Sequence, residues 1–136
     1  MKLNIDYLSG MLKVFLNSER PFITLEDLAT AGYSIENYDT LFHYLLLVEE
    51  GYVSTMKLDK GNPEKLGVYF NNRDGNVDWS DVPIRLTNSG LEFAESLNSK
   101  DVFERLKQIG DQPMSVFKDV GLELLKSYAK KKFGLE

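Results

Sequence analysis

Residues 24–34 read TLEDLATAGYS, and this stretch decides the fold that we expect for the chain. Thr24 is a favourable helix N-cap, and Asp27, three residues later, takes the position of the reciprocal partner in a capping box. Gly32 predicts a tight turn, and Ser34 soon after it is a second favourable N-cap. Two helices joined by a tight turn are typical of a helix-turn-helix pair.

Helices are also predicted on either side of this short one. Over residues 3–17 the apolar side chains recur at spacings of three and four, which favours one amphipathic helix. These side chains are Ile5, Leu8, Leu12, Phe15 and Leu16. After Ser34 a longer helix is predicted over residues 35–50, and Gly51 is expected to end it in a left-handed conformation.

Strands are predicted where the pattern changes after Gly51. Residues 52–56 and 82–86 are predicted to form paired β-strands, with residues 68–70 as a third strand. The loop over residues 57–81 is rich in turn residues and would form the tip of a wing. Three helices followed by a β-hairpin wing predict an α+β fold with a winged helix-turn-helix core.

The last third of the chain is predicted to be helical. A helix begins after Thr87, a second apolar face follows it, and the last helix covers residues 114–133. We therefore expect a single domain over residues 1–136. Its winged-helix core would occupy residues 1–98, and residues 99–136 would form a C-terminal helical extension.

The helix predicted over residues 35–50 is the one that would enter the DNA major groove in a DNA-binding winged helix. At about 100° per residue its side chains divide into two arcs. We expect the apolar arc to be buried; it holds Tyr38, Leu41, Phe42, Leu45, Leu46 and Val48. We expect the opposite arc to be exposed; it holds Glu36, Asp39, Thr40, His43, Leu47 and Glu50. Leu45 then belongs to the core together with Leu86, and the exposed arc is acidic.

Charge opposes binding to nucleic acid. The chain has 16 Lys/Arg against 21 Asp/Glu, a net charge of -5, and phosphate anchoring needs cations. Residues 1–98 hold 8 basic against 15 acidic residues, whereas residues 99–136 hold 8 against 6. A DNA-binding transcriptional regulator is the alternative function. Its contacts would come from Lys57, Lys60, Arg73 and His43.

The sequence contains no recognisable catalytic pattern, so we expect a non-enzymatic protein with no metal and no cofactor. His43 is the one histidine, and a lone histidine followed by apolar residues is typically a packing residue. The sequence matches part of the pattern of a calcium-binding loop at Asn72, Asp74, Gly75 and Asp78. Phe70 and Asp81 occupy its first and last ligand positions, so a polar turn is expected instead.

The composition also predicts the compartment. The chain has no cysteine, which fits a reducing compartment. No segment approaches the roughly 20 apolar residues that span a bilayer. We therefore expect a cytoplasmic protein that does not enter a membrane.

Two features favour contact with other proteins. Trp79 lies in an acidic loop, where it would anchor a partner, although folding back over the sheet or helix one is the simpler interpretation. The last helix has an apolar stripe at Phe117, Val120, Leu124 and Tyr128. A second apolar edge predicts homodimerisation, and the competing interpretation is packing against helix one. The predicted interaction surface comprises Trp79, Leu122, Leu125 and Ala129.

Two stretches indicate a family. Residues 43–53 read HYLLLVEEGYV and residues 84–93 read IRLTNSGLEF, with further agreement at residues 101–103 and 131–135. Together they resemble domain-of-unknown-function family 2513, whose members occur in bacteria and their phages. The resemblance implies a winged-helix fold and a mobile-element setting, and it implies no activity. Our prediction is a non-enzymatic protein-interaction or self-associating module.

Overall fold

The computed structural model describes residues 1–71 and 73–134. Over these residues the protein is mixed α+β, with six helices and five short strands in small antiparallel sheets. The helices are α1 Ile5–Leu16, α2 Leu25–Thr30, α3 Tyr38–Glu49, α4 Asn88–Asn98, α5 Lys100–Gln108 and α6 Met114–Lys132. The strands are β1 Ile23–Thr24, β2 Val53–Ser54, β3 Val68–Phe70, β4 Val77–Trp79 and β5 Pro83–Leu86.

The main sheet has the order β1-β5-β2, and all of its strands are antiparallel. Ile23 lies opposite Ile84 in the first pair, and Val53 lies opposite Leu86 in the second. Ile23, Ile84 and Val53 are buried, so this face of the sheet contributes to the core. The strands β3 and β4 form a separate hairpin in the connection between β2 and β5.

The capping signals in the sequence are confirmed. Thr24 accepts the backbone N–H of Asp27 and Asp27 accepts that of Thr24, which completes the capping box of α2. Thr87 accepts the backbone N–H of Gly90 at the start of α4. Gly51 has φ 71°, the left-handed conformation expected after α3.

Two boundaries differ from the prediction. The N-cap of α3 is Asn37 rather than Ser34, and the Ser34 hydroxyl accepts the backbone N–H of Glu36 in the preceding turn. The strand predicted over residues 52–56 shortens to β2. Thr55 ends it, because its hydroxyl accepts the backbone N–H groups of Lys57 and Asp59 and folds the chain into a turn.

The segment predicted as a loop, residues 57–81, contains the β3–β4 hairpin. The strand predicted over residues 68–70 is confirmed as β3, but its partner is β4 rather than a strand of the main sheet. The Tyr44 hydroxyl donates to the carbonyl of Leu66 at 2.8 Å, which ties the start of this hairpin to α3.

The C-terminal helices pack on one another and on α1. Helix α4 lies against α1, α5 and α6, and α6 lies mainly on α4 and α5 rather than on helix one. Gly121 makes this packing close, because a Cβ built there would lie 3.1 Å from the Ser96 Oγ and 3.5 Å from the Leu106 side chain. The start of α6 also contributes Met114 and Phe117 to the core.

Candidate interaction surface

Helix α3 buries three of the six residues on the arc that the sequence predicted to be exposed. Thr40, His43 and Leu47 are 0%, 1% and 0% exposed, whereas Tyr38 on the opposite side is 78% exposed. Leu45, which was predicted to be a core residue, is half-buried and lies outside the core cluster. Leu86, its predicted core partner, is also half-buried but packs against the core. The predicted phase of α3 is therefore wrong at these positions, although Asp39 is exposed and Val48 is buried as predicted.

The buried face of α3 contains polar side chains because their partners come from other segments. The Thr40 hydroxyl is hydrogen-bonded to the Tyr7 hydroxyl of α1. The His43 Nε2 accepts the backbone N–H of Asn4 at 2.9 Å, immediately before α1. With such partners, burying a polar group carries little penalty.

The opposite side of α3 is a largely apolar surface. Tyr38, Phe42, Leu45 and Glu49 follow one another at spacings of four, three and four, which places them in one line along the helix. Leu41 and Leu46 lie beside this line and are half-buried. We call these six residues the outer face of α3. It lies on the protein surface as an apolar strip with one acid at its end.

One edge of the outer face borders a cleft of about 360 Å³ that we call the α3–α6 cleft. Phe42 and Leu46 line one wall, and Pro113 and Met114 at the start of α6 line the other. The remaining lining residues are Met1, Lys2, Leu3, Asp111 and Gln112. Lys2 pairs with Asp111 at 3.3 Å at the rim of the cleft. The walls of the cleft are therefore apolar, and its two charged lining residues neutralise each other.

Acidic side chains lie along the same edge of α3. Asp39, Phe42, Leu46 and Glu49 are spaced by three, four and three residues, so both acids are neighbours of the apolar wall of the cleft. Residues 21–56, which contain β1, α2, α3 and β2, hold six Asp/Glu and no Lys or Arg. The electrostatic field of this surface therefore favours a cationic partner.

The other edge of the outer face approaches the β3–β4 hairpin. A smaller cleft of about 180 Å³ lies between Tyr38 and Leu41 of α3 and Val77 of β4. On the hairpin itself, Tyr69 is 41% and Phe70 is 45% exposed. Aromatic side chains are thus exposed both on α3 and on the hairpin beside it.

The residues predicted as an interaction surface do not form one patch. Trp79 is half-buried in β4 and packs against the core, opposite Val68 of β3. Leu125 of α6 is also half-buried and packs against the core. Leu122 is half-buried but lies outside the core contacts, and Ala129 is exposed. The outer edge of α6 therefore retains Leu122 and Ala129, seven residues apart.

The residues assigned to the alternative DNA contacts are also dispersed. Lys57, Lys60 and Arg73 are exposed, and they lie in two different connections, before β3 and after it. His43 is 1% exposed, so its assignment as a DNA contact is wrong. Of the arc that was predicted to be exposed, Thr40, His43 and Leu47 are buried, whereas the acids Glu36 and Asp39 are exposed. The lack of cations on α3 does not depend on its phase.

The segment resembling a calcium loop forms a polar turn in its described part. Asp74 accepts the backbone N–H of Asn76 at 3.0 Å through its Oδ1. Asn72 lies outside the described residues. Over residues 1–71 and 73–134 no group of three or more His, Asp or Glu side chains is placed to hold a metal ion. None of the helices in this part of the chain has the length and apolar character required to cross a bilayer.

The environment of His43 fixes its protonation state. Burial lowers the pKa of its imidazole below the ordinary value of 6.5, and the carbonyl and charge of Asp39 oppose this effect less strongly. The Nδ1 lies 2.7 Å from the Asp39 carbonyl oxygen and the Nε2 accepts from Asn4. His43 is therefore a neutral imidazole that donates from Nδ1 and links α3 to the start of α1.

The wild type should lose stability in acid through His43, and we expect the variant His43→Gln to lack this loss. Because the folded protein binds this proton more weakly than the unfolded chain, the stabilisation is present above pH 6.5 and is lost as pH falls below it. Between about pH 7.5 and about pH 5.5 the wild type should lose at most about 1.4 kcal/mol through this group. Glutamine offers Asn4 an acceptor and does not titrate.

Urea denaturation of both proteins at the two pH values gives the loss of unfolding free energy for each. The loss in the wild type minus the loss in the variant measures the effect of His43. Carboxylates elsewhere contribute equally to both proteins, so they cancel. Equal losses in the two proteins would contradict the assigned protonation state.

The fold and this surface define a mixed α+β protein that exposes an apolar, cation-free helix face. No family model, no curated protein and no solved structure matches the chain. The resemblance to domain-of-unknown-function family 2513 therefore stays a prediction.

The sequence did not identify the outer face because α3 is apolar nearly all round. Eight of its twelve residues, YDTLFHYLLLVE, are hydrophobic, so either phase buries an apolar arc. A helix with so little amphipathic contrast gives almost no information on which side faces solvent. The absence of Lys and Arg was visible in the sequence, and it is the signal that marks the surface.

Proposed function

We propose that the protein is a non-enzymatic interaction module with a winged-helix arrangement, and that the outer face of α3 binds another protein. The order of elements supports the winged-helix arrangement. Helix α1 is followed by β1, α2 and α3, and then by β2, a hairpin and β5. The strand order β1-β5-β2 and the position of α3 beside the hairpin support it as well.

The observation that carries the proposal is the chemistry of the outer face of α3. Winged-helix proteins that read DNA place this helix in the major groove and need cations to hold the phosphates. In this chain, residues 21–56 contain none. The outer face instead has an exposed Tyr38 beside half-buried Phe42 and Leu45, and aromatic and aliphatic side chains gathered in one surface patch are typical of protein interfaces.

The test is site-specific photo-cross-linking in cells that produce the protein. A photoreactive p-benzoylphenylalanine at position 45 should form adducts with protein and none with nucleic acid. The matched control is the same group at position 91, because Leu91 is also a surface leucine, 43% exposed, but lies on α4. Adducts that are equally abundant at both positions, or that contain nucleic acid, would overturn the proposal.

We also expect the purified protein to show no sequence-specific binding to duplex DNA. Carboxylates on the helix that would enter the groove repel phosphate, and Lys57 and Lys60 lie in a different connection from Arg73. Repeated selection from random duplexes at physiological salt, followed by gel-shift assays, measures this. A recovered consensus site bound in the presence of excess competitor would support the DNA-binding regulator instead.

A further inference from the structure

We propose that the partner of the α3–α6 cleft is the C-terminal end of α6 from a second copy of the chain. The contact would be reciprocal, so that two copies form a closed dimer with two identical contacts. This inference rests on the proposed function, in that it names the protein that occupies the surface beside α3. It also implies that the lysines at the end of α6 bind to specific acidic side chains of the other copy.

The end of α6 combines the two chemistries that the cleft would recognise. Lys130, Lys131 and Lys132 form its last turn, and all three are exposed. Phe133 follows directly and is 71% exposed, the second most exposed of the large hydrophobic side chains in the described part of the chain. An exposed aromatic beside three cations fits an apolar pocket that has acidic side chains next to it.

The α3–α6 cleft has apolar walls, its own charged lining residues Lys2 and Asp111 pair with each other, and two further acids of α3 lie beside it. Its apolar walls are Phe42 and Leu46 on one side and the start of α6 on the other. Asp39 and Glu49 lie on the same edge of α3. Charge is distributed unevenly along the chain in the same sense. Residues 1–98 hold 8 basic against 15 acidic residues, whereas residues 99–136 hold 8 basic against 6 acidic residues.

The length of α6 makes the contact intermolecular. This helix has 19 residues, which corresponds to about 28 Å at about 1.5 Å per residue. Its first residue, Met114, lines the cleft, so its last turn lies at the far end of the helix axis. The end of α6 therefore cannot reach the cleft of its own chain.

An antiparallel arrangement of two α6 helices resolves this geometry. When two such helices lie side by side about a two-fold axis, the end of each comes next to the start of the other. The start of α6 is one wall of the cleft, so each Phe133 would meet the cleft of the other copy. Leu122 and Ala129, on the outer edge of α6, would lie in the contact between the two helices.

Sedimentation equilibrium over a concentration series tests the proposal. The wild type should dimerise, and Phe133→Ser should raise its dissociation constant roughly tenfold or more. The matched control is Leu58→Ser, since Leu58 is 65% exposed but lies in the turn after β2. Both positions are exposed and lie outside the helices and strands, so both variants should remain folded by circular dichroism.

A charge exchange identifies the site. Lys131→Glu and Glu49→Lys should each weaken the dimer roughly tenfold, and the double variant should recover affinity because the same two charges meet in exchanged positions. Lys13→Glu, an exposed lysine on α1, changes the net charge equally and should have no effect.

A wild type that stays monomeric, a dimer unaffected by Phe133→Ser, or a double variant without recovery would each overturn the inference. Adducts at position 45 that contain a different protein would then still support the proposed function. A dimer that follows all three expectations but gives no adduct at position 45 above the level at position 91 would support the contact at the α3–α6 cleft and contradict the proposal that the outer face around Leu45 binds protein.

Discussion

Leu47→Ala will lower the free energy of unfolding by about 2 to 5 kcal/mol, the usual range for deleting a buried leucine side chain. Leu47 is 0% exposed and belongs to the core cluster. The substitution removes apolar contacts and leaves a cavity that the surrounding side chains fill only in part. Leucine and alanine are both good helix formers, so the effect reports packing rather than helix propensity.

The matched variant is Leu45→Ala, two residues earlier on the same helix. Leu45 is half-buried and lies outside the core cluster, so its loss should stay below about 1 kcal/mol. Urea denaturation of both variants at one pH gives the two values. If Leu45→Ala were the more damaging substitution, α3 would have the phase predicted from the sequence, and the outer face would not exist.

Gly90→Ala will destabilise the protein by about 2 kcal/mol or more, although alanine normally favours a helix. Gly90 is the third residue of α4 and is buried, and a Cβ built on it would overlap the backbone carbonyl of Tyr52. Replacing glycine by alanine in a helix gains at most about 1 kcal/mol from backbone entropy. Overpacking against atoms that cannot move away costs about 1 to 3 kcal/mol, and often more when the neighbour is backbone.

The Tyr52 backbone cannot shift easily because it is held from two sides. Its carbonyl accepts the N–H of Thr87 at 2.9 Å, and its N–H donates to the Leu47 carbonyl at 2.9 Å. The Thr87 hydroxyl also donates to the Gly51 carbonyl at 2.7 Å. The turn after α3 is therefore locked onto the start of α4, and a methyl group at position 90 would separate them.

Gly121→Ala is the matched control for Gly90→Ala. Gly121 is also a buried helix glycine, but the nearest atom to a built Cβ is the Ser96 Oγ at 3.1 Å, which belongs to a side chain. A small adjustment of that side chain offsets the crowding, so the net change should lie within about 1 kcal/mol. Thermal unfolding of both variants checks the pair, and equal losses would show that the contact with Tyr52 is not the cause.

Local chemistry in the sequence determined where most helices begin and end. The capping box at Thr24, the left-handed Gly51 and the cap at Thr87 each depend on atoms within a few residues, so the sequence contains all the information that fixes them. The last helix, predicted over residues 114–133, is α6 within one residue. The mixed α+β class follows from the order of these elements and is confirmed.

The pairing predicted between residues 52–56 and 82–86 is confirmed by β2 and β5, but the partner of β3 and the phase of α3 were decided only by the tertiary structure. The partner of β3 is β4, the strand that follows it in the chain, and the apolar pattern of β3 by itself does not indicate this pairing. On α3, the sequence predicts that Thr40 and His43 face solvent, because it does not show that Tyr7 and Asn4 lie opposite them.

The candidate surface follows the same division. Its lack of cations could be predicted from the sequence, because a count of Lys and Arg does not depend on geometry. Its location could not be predicted, because α3 is apolar on nearly all sides and could bury either arc. Hydrogen-bond partners supplied by α1 made burial of the polar arc favourable, and that choice left Tyr38, Phe42 and Leu45 on the outer face.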